Sequence, residues 1–222
     1  MSAMDSNNPH TEHEVQTLHV GHAHDHSHDH DEEHEHHDTF ITKYIFTQDH
    51  KMIAKQFLLT AVFMAVIAML MSIVFRLQLA WPGKSFPILE PILGKWAPGG
   101  VLDPNFYLAL VTIHGTIMVF FVLTGGLSGT FSNLLIPLQI GARDMASGFL
   151  NMLSFWFFAA SSVIMLFSVT IESGPASGGW TIYPPLSALE QAMPGSGLGM
   201  TLWLVSMSLF IVSSLLGGLN YI

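Results

Sequence analysis

The chain has 222 residues, of which 50% are hydrophobic and only 10% charged, a membrane-protein balance. Its formal net charge of −9 is unevenly placed: residues 1–39 carry ten acidic side chains and no Lys or Arg, while residues 40–222 carry six acidic and seven basic ones. There is no basic patch for nucleic acid, and with no cysteine there are no disulfides, thiolate metal sites or cysteine catalysis.

Residues 1–39 lack apolar periodicity and are expected to form a disordered tail. Within them His19–His37 reads HVGHAHDHSHDHDEEHEHH, a tract able to bind Zn, Ni or Cu in many geometries. Metal buffering or delivery is one reading. A solvated tail with incidental metal affinity is the plainer one, because repeated HD and HE supply ligands without fixing a geometry. Lys43–Lys55 follows as a short amphipathic approach segment with three lysines.

Four membrane-length apolar segments come next: Phe57–Phe75; Phe106–Thr124, continuing as a helix toward Pro137; Phe149–Ile171; and Leu198–Ile222. Each is apolar around most of its circumference and too long for a strand. Helices are the only open-ended elements that satisfy every backbone group in lipid, so residues 40–222 are expected to be an all-α, polytopic transmembrane bundle. Residues 78–105 read as a structured loop, 138–147 as a tight polar turn with Arg143–Asp144, and 173–197 as a Gly/Pro-rich loop around GGWTIYPP. An orientation with the N-terminus inside places Lys43, Lys51, Lys55 and Arg143 on the cytoplasmic side, against Arg76, Lys84 and Lys95 outside, a bias of four to three. The fourth span runs to the last residue without a polar flank, so the chain is expected to be the N-terminal part of a longer one.

His114 stands inside an apolar span, where its ring nitrogens need a hydrogen bond or a metal. A haem iron and a neighbouring helix are the two readings its position offers. Arg76 closes the first span, as a snorkelling arginine or as a donor to a cofactor's polar substituent. Asn133, Asp144, Asn151, Ser154, Ser213, Ser214 and Asn220 gather toward one membrane face. Such groups often join membrane helices. A water chain for protons needs the same residue types and an acidic mouth, which Asp144 supplies. Gly125, Gly126, Gly129, Gly217 and Gly218 allow close helix contact or room for a flat cofactor, close contact being the commoner use.

HGTIMVFF, NLLIPLQIGARDMA, LNMLSFW, GGWTIYPPL and VSSLLGGLNYI, in this order and spacing, resemble subunit I of the haem–copper cytochrome c oxidases, from about Asp49 to Ile222. The resemblance implies four spans of a longer oxidase bundle. It implies that His114 is an axial ligand of the low-spin haem, haem a in most such enzymes, and that Arg76 donates to the haem formyl group. Trp180 and Tyr183 would lie near the haem propionates. Asp144 would open a proton path continued by Asn133 and Asn151, and then by Ser154, Ser213, Ser214 and Asn220. Two positions depart from the family pattern: Phe57 replaces a channel tyrosine, and Gln78 stands where some members have a glutamate ligand for calcium or sodium, so no such site is expected.

In the full-length subunit the family also has a high-spin haem and copper B. Their ligands would lie beyond Ile222, so this chain alone would lack the oxygen-reducing site. The implied partners are subunits II and III, cytochrome c as electron donor, and membrane lipid, with no nucleic acid. The implied location is the bacterial cytoplasmic membrane with the tail in the cytoplasm. A quinol oxidase or nitric oxide reductase of the same superfamily is the nearest alternative. A metal-ion transporter is more distant, since His114 is the only histidine within the spans.

Overall fold

A computed structural model describes residues 40–171 and 173–222, with Glu190 by its backbone alone. The expected disorder of residues 1–39 and the metal-binding reading of His19–His37 fall outside the described residues. Among the described residues the regular structure is entirely helical, with four helices long and apolar enough to cross a membrane.

A short helix, α1 (Phe40–Tyr44), precedes the first span, α2 (His50–Ala80). The expected approach segment is therefore divided, because Asp49 caps α2 by accepting from the Lys51 N–H at 3.3 Å. Residues 50–55 join the helix, and α2 is longer than the apolar run that marks it. Between Lys55 and Arg76 it carries no charge, a stretch of about 31 Å at the helical rise, which matches the hydrocarbon thickness. The two charged residues thus mark the borders of the lipid-buried part.

The structured loop after α2 holds α3 (Leu89–Leu93) and two single 3₁₀ turns. The second span, Pro104–Ile140, is built from three consecutive pieces. In α4 (Pro104–Thr116), Pro104 occupies the first turn and Asp103 accepts from the Asn105 and Phe106 N–H groups at 2.9 and 3.1 Å. Ile117–Ser128 then winds as a wider π-helix, and α5 (Gly129–Ile140) completes the span. The Thr124 hydroxyl follows the wider winding by donating to the Val119 carbonyl, five residues back, at 2.8 Å. Gly141, at φ 70°, ends α5 in the left-handed conformation. Two further spans follow, α6 (Gly148–Val169) and α7 (Gly197–Leu219).

Each span sends at least one phenylalanine to a shared aromatic centre. Phe57 and Phe158 stand 5.1 Å apart, Phe121 and Phe210 5.4 Å, and Phe121 and Phe158 5.9 Å between ring centroids. Glycines bring the second span onto these rings. A Cβ at Gly129 would come within 2.7 Å of Phe57, and one at Gly126 would overlap the Ala61 methyl. Between α6 and α7 the hydroxyls of Ser161 and Ser206 each donate to the other residue's carbonyl at 2.7 Å. This reciprocal pair leaves neither buried hydroxyl without a partner.

Replacing Gly126 by valine wedges the first two spans apart at Ala61. The expected cost is about 1–3 kcal/mol, the usual range for overpacking, read as a lower Tm of the purified membrane protein. An unchanged Tm would show that the helices do not meet there.

Candidate functional site

The first span positions two chemically distinct regions. Ala68 on α2 offers its carbonyl to His114 on α4, with Nδ1 to oxygen at 2.8 Å. A carbonyl only accepts, so Nδ1 carries the ring proton and Nε2 keeps its lone pair. Nε2 makes no hydrogen bond among the described residues. Phe75 meets the imidazole edge-on at 5.4 Å, further restricting its rotation. A half-buried imidazole with one nitrogen tied to a carbonyl and the other free is the arrangement used by metal-ligating histidines.

The GGW loop is fastened beside this residue. The Gly179 N–H donates to the Thr112 hydroxyl at 2.9 Å, two residues before His114. Trp180 lies against Gly115, and its ring stands 5.9 Å from that of Phe120. From the other side, Trp203 of α7 donates its indole N–H to Thr116 at 3.0 Å. Neither Thr112 nor Thr116 was among the sequence candidates, because a threonine in an apolar helix ordinarily bonds its own backbone. Arg76 is exposed and makes no hydrogen bond or ion pair among the described residues. Tyr183 is 73% exposed in its loop. The structure therefore brings Trp180 next to the His114 turn, while among the described residues neither Arg76 nor Tyr183 hydrogen-bonds to the imidazole.

The second region begins at Asp144, in the turn between α5 and α6. Its Oδ1 accepts from His50 Nδ1 at 3.0 Å and from the Met145 N–H at 2.7 Å. His50 is buried although it starts α2, and sequence reasoning missed it. The available signal was the Asp-His pair directly ahead of the apolar run, an N-cap followed by the first helical residue.

Among the other candidates, Asn151 donates to Asn133 Oδ1 at 2.6 Å, and Asn133 donates to the Gly129 carbonyl at 2.7 Å. Asn220 Oδ1 accepts from the Ser147 N–H at 2.7 Å, which ties the end of α7 to the start of α6. Ser213 donates to the Ser154 carbonyl at 2.7 Å. Two buried atoms, Asn151 Oδ1 and Asn220 Nδ2, have no protein partner, a pattern normally answered by internal water.

Above these residues a cavity of about 60 Å³ is lined by Thr124, Ser128, Ser154, Ser213, Ser214 and Tyr221, with Phe57 and Phe210 as apolar walls. It is large enough for a few waters. Tyr221 accepts from Ser132 at 2.7 Å. Thr124, Ser128, Ser132 and Tyr221 are further members that the sequence did not single out. His50 and Ala68 are eighteen residues apart on α2, so Asp144 and His114 differ in depth by about 27 Å.

The family model for cytochrome c and quinol oxidase polypeptide I matches residues 52–222. The alternative cytochrome c oxidase subunit 1 of Bradyrhizobium diazoefficiens is 41% identical over 182 residues, covering 82% of this chain and 28% of that protein. The cytochrome c oxidase subunit 1 of Thermostichus vulcanus is 38% identical over 179 residues, 81% of this chain and 28% of the relative. The heme-copper oxidase subunit I+III of Aeropyrum pernix is 34% identical over 183 residues, 82% of this chain and 20% of the relative. The chain spans less than a third of the length of these curated relatives.

Replacing Asn133 by leucine removes the acceptor of a buried amide. The expected loss is about 1–3 kcal/mol of stability, the cost of an unsatisfied buried donor, measured by thermal unfolding. Asn133→Asp, which keeps an acceptor at the same place, is expected to recover part of it.

Proposed function

Because the chain belongs to the cytochrome c and quinol oxidase polypeptide I family, we propose that it forms part of a respiratory terminal oxidase's core subunit, holding one side of a low-spin haem and lining a proton-uptake path. The observation that carries this reading is His114, whose Nδ1 is committed to the Ala68 carbonyl while Nε2 is left as an available donor. That donor set fits haem iron. His114 would ligate the iron, Arg76 would donate to the formyl group of a haem a, and Trp180 and Tyr183 would stand near the propionates. When bound, this haem supplies one-electron redox chemistry.

The remaining roles belong to the chain's own side chains. Asp144 takes protons from solvent at its carboxylate, and the His50 N–H orients that carboxylate. The Asn133–Asn151 pair holds the path's narrow part in register and leaves Asn151 Oδ1 to face water. The hydroxyls of Ser154, Ser213 and Ser214 border the cavity above, each able to donate and accept. Asn220 closes the mouth's wall through Ser147.

In this reading the high-spin haem and copper B, where oxygen is reduced to water, are held by other parts of the complete subunit. Cytochrome c supplies electrons, as the names of relatives suggest. Subunits II and III complete the complex. The assembly lies in a bacterial cytoplasmic membrane, with the basic residues flanking Asp144 and the N-terminal tail on the cytoplasmic side.

A reduced-minus-oxidised visible spectrum of the native complex tests the proposal. Two red-shifted a-type haems, one responding to carbon monoxide, are expected. Only b-type bands would move the protein to a quinol-using branch, and no haem would overturn the reading. His114→Leu should abolish the low-spin signal, and Arg76→Leu should shift its band to the blue while keeping it. Asp144→Asn is expected to slow turnover about 100-fold, the scale of a lost proton-transfer group, with the low-spin spectrum intact. Collapse of that spectrum would make Asp144 structural instead.

A further inference from the structure

His114 lies two residues before Thr116, where α4 gives way to the wider winding of Ile117–Ser128. Two continuations compete at such a boundary. Each N–H can bond the carbonyl four residues back, as in an α-helix, or five residues back, as in a π-helix. The wider winding turns less per residue. Its spread back through His114 would therefore rotate the imidazole away from its present direction. A ligand that must meet one point in space needs that boundary to stay where it is.

A clip stands at the boundary. Thr116 is fully buried, and its hydroxyl donates to the Thr112 carbonyl, four residues back, at 2.9 Å. The indole of Trp203 on α7 reaches the same hydroxyl at 3.0 Å. An indole N–H can only donate, so the hydroxyl accepts from it and directs its own proton to Thr112. A β-branched side chain has few rotamers in which to leave this arrangement. The clip closes residues 112–116 into one α-turn with His114 inside it. The same turn is held from the GGW loop, through the Gly179 N–H on the Thr112 hydroxyl and through Trp180, which stands 3.5 Å from where a Cβ of Gly115 would be. Those contacts fix the turn's earlier residues, and Trp203 fixes the boundary residue itself.

We propose that Thr116 and Trp203 are positioning residues for the low-spin haem: their hydrogen bond keeps the His114 turn α-helical against the adjoining π-helix and so fixes the direction of His114 Nε2. The Ala68 carbonyl decides which ring nitrogen carries the proton. The Trp203 clip decides the backbone from which the ring projects. The positioning role rests on His114 being a haem ligand, whereas the clip is a property of the backbone alone.

The test uses the complete complex and compares wild type with Thr116→Val, Thr116→Ser, Trp203→Phe and the double variant Thr116→Val/Trp203→Phe. Valine keeps the shape of threonine without the hydroxyl, and serine keeps the hydroxyl. Electron paramagnetic resonance reads the g-values of the oxidised low-spin haem, which follow the orientation of its axial ligand planes. Amide hydrogen exchange reads the backbone over residues 112–118. Thr116→Val and Trp203→Phe are each expected to shift the g-values and to speed exchange about threefold to tenfold, the scale of one lost buried hydrogen bond. The double variant should do little more than the larger single change, because both residues act through one bond. Thr116→Ser should restore the wild-type g-values. Wild-type g-values in Thr116→Val would overturn the positioning role even if exchange rises, and would leave the bond as a helix-joining contact. Should Thr116→Val fail to assemble, Trp203→Phe decides by the same two readouts. His114→Leu is the control for the haem reading. A low-spin signal that persists there would remove that reading and the positioning role with it, while faster exchange in Thr116→Val would still establish the clip.

Discussion

The seating of the first span against the glycine-lined second span decides where everything else in this molecule lies. Phe57 fits where Gly129 lacks a side chain, and Ala61 fits at Gly126. Once that contact is made, the register of α2 against its partner is fixed in depth. Ala68 then comes to the level of His114, and His50 to the level of Asp144. One helix sets the height of both regions, and a slide of one turn, about 5.4 Å, would separate both pairs at once.

Polar groups inside the bundle divide into two kinds. Those near the haem-ligand candidate are fully answered by protein: Thr112 by Gly179, Thr116 by Trp203, and Ser161 by Ser206. Those on the Asp144 side are answered only in part, since Asn151 and Asn220 each keep a buried atom without a protein partner. Closed networks hold helices together, and open ones invite water. The ring cluster of Phe57, Phe121, Phe158 and Phe210 lies beside the upper cavity, where Phe57 and Phe210 form its apolar walls. The partly unsatisfied side of the bundle thereby stays distinct from the region around His114.

The four spans were legible in the sequence because each is a long apolar run, and such runs admit one solution in lipid. His114 was legible for the converse reason, as an ionisable residue where none is cheap. The pairing of Asn133 with Asn151 follows from residue type and a shared membrane face, although the sequence does not say which amide meets which. His50 was hidden because the lysines around it make its segment read as an interfacial approach. Thr124 and Ser128 were hidden because each bonds its own helix backbone and shows no long-range signature. The π-helical stretch has no repeat of its own to be read. It arises where several glycines let the second span sit close on its neighbours, which is a property of packing. Arg76 and Tyr183 rest on the family resemblance, since neither hydrogen-bonds to the imidazole among the described residues.

The depth of Ala68 has an electrical consequence. It lies thirteen residues from Lys55 and eight from Arg76, so the level of His114 is about two-thirds of the way across the hydrocarbon from the Asp144 side. A positive charge brought to that level from the Asp144 side crosses about two-thirds of the membrane potential. An electron brought there from the Arg76 side crosses the remaining third in the opposite direction, which counts in the same sense. Together the two displacements move one full charge through the field, a cost of about 2.3 kcal/mol for every 100 mV opposing it. If the proposed function holds, an interior meeting point at that depth would make neutralisation of the two charges a form of charging the membrane.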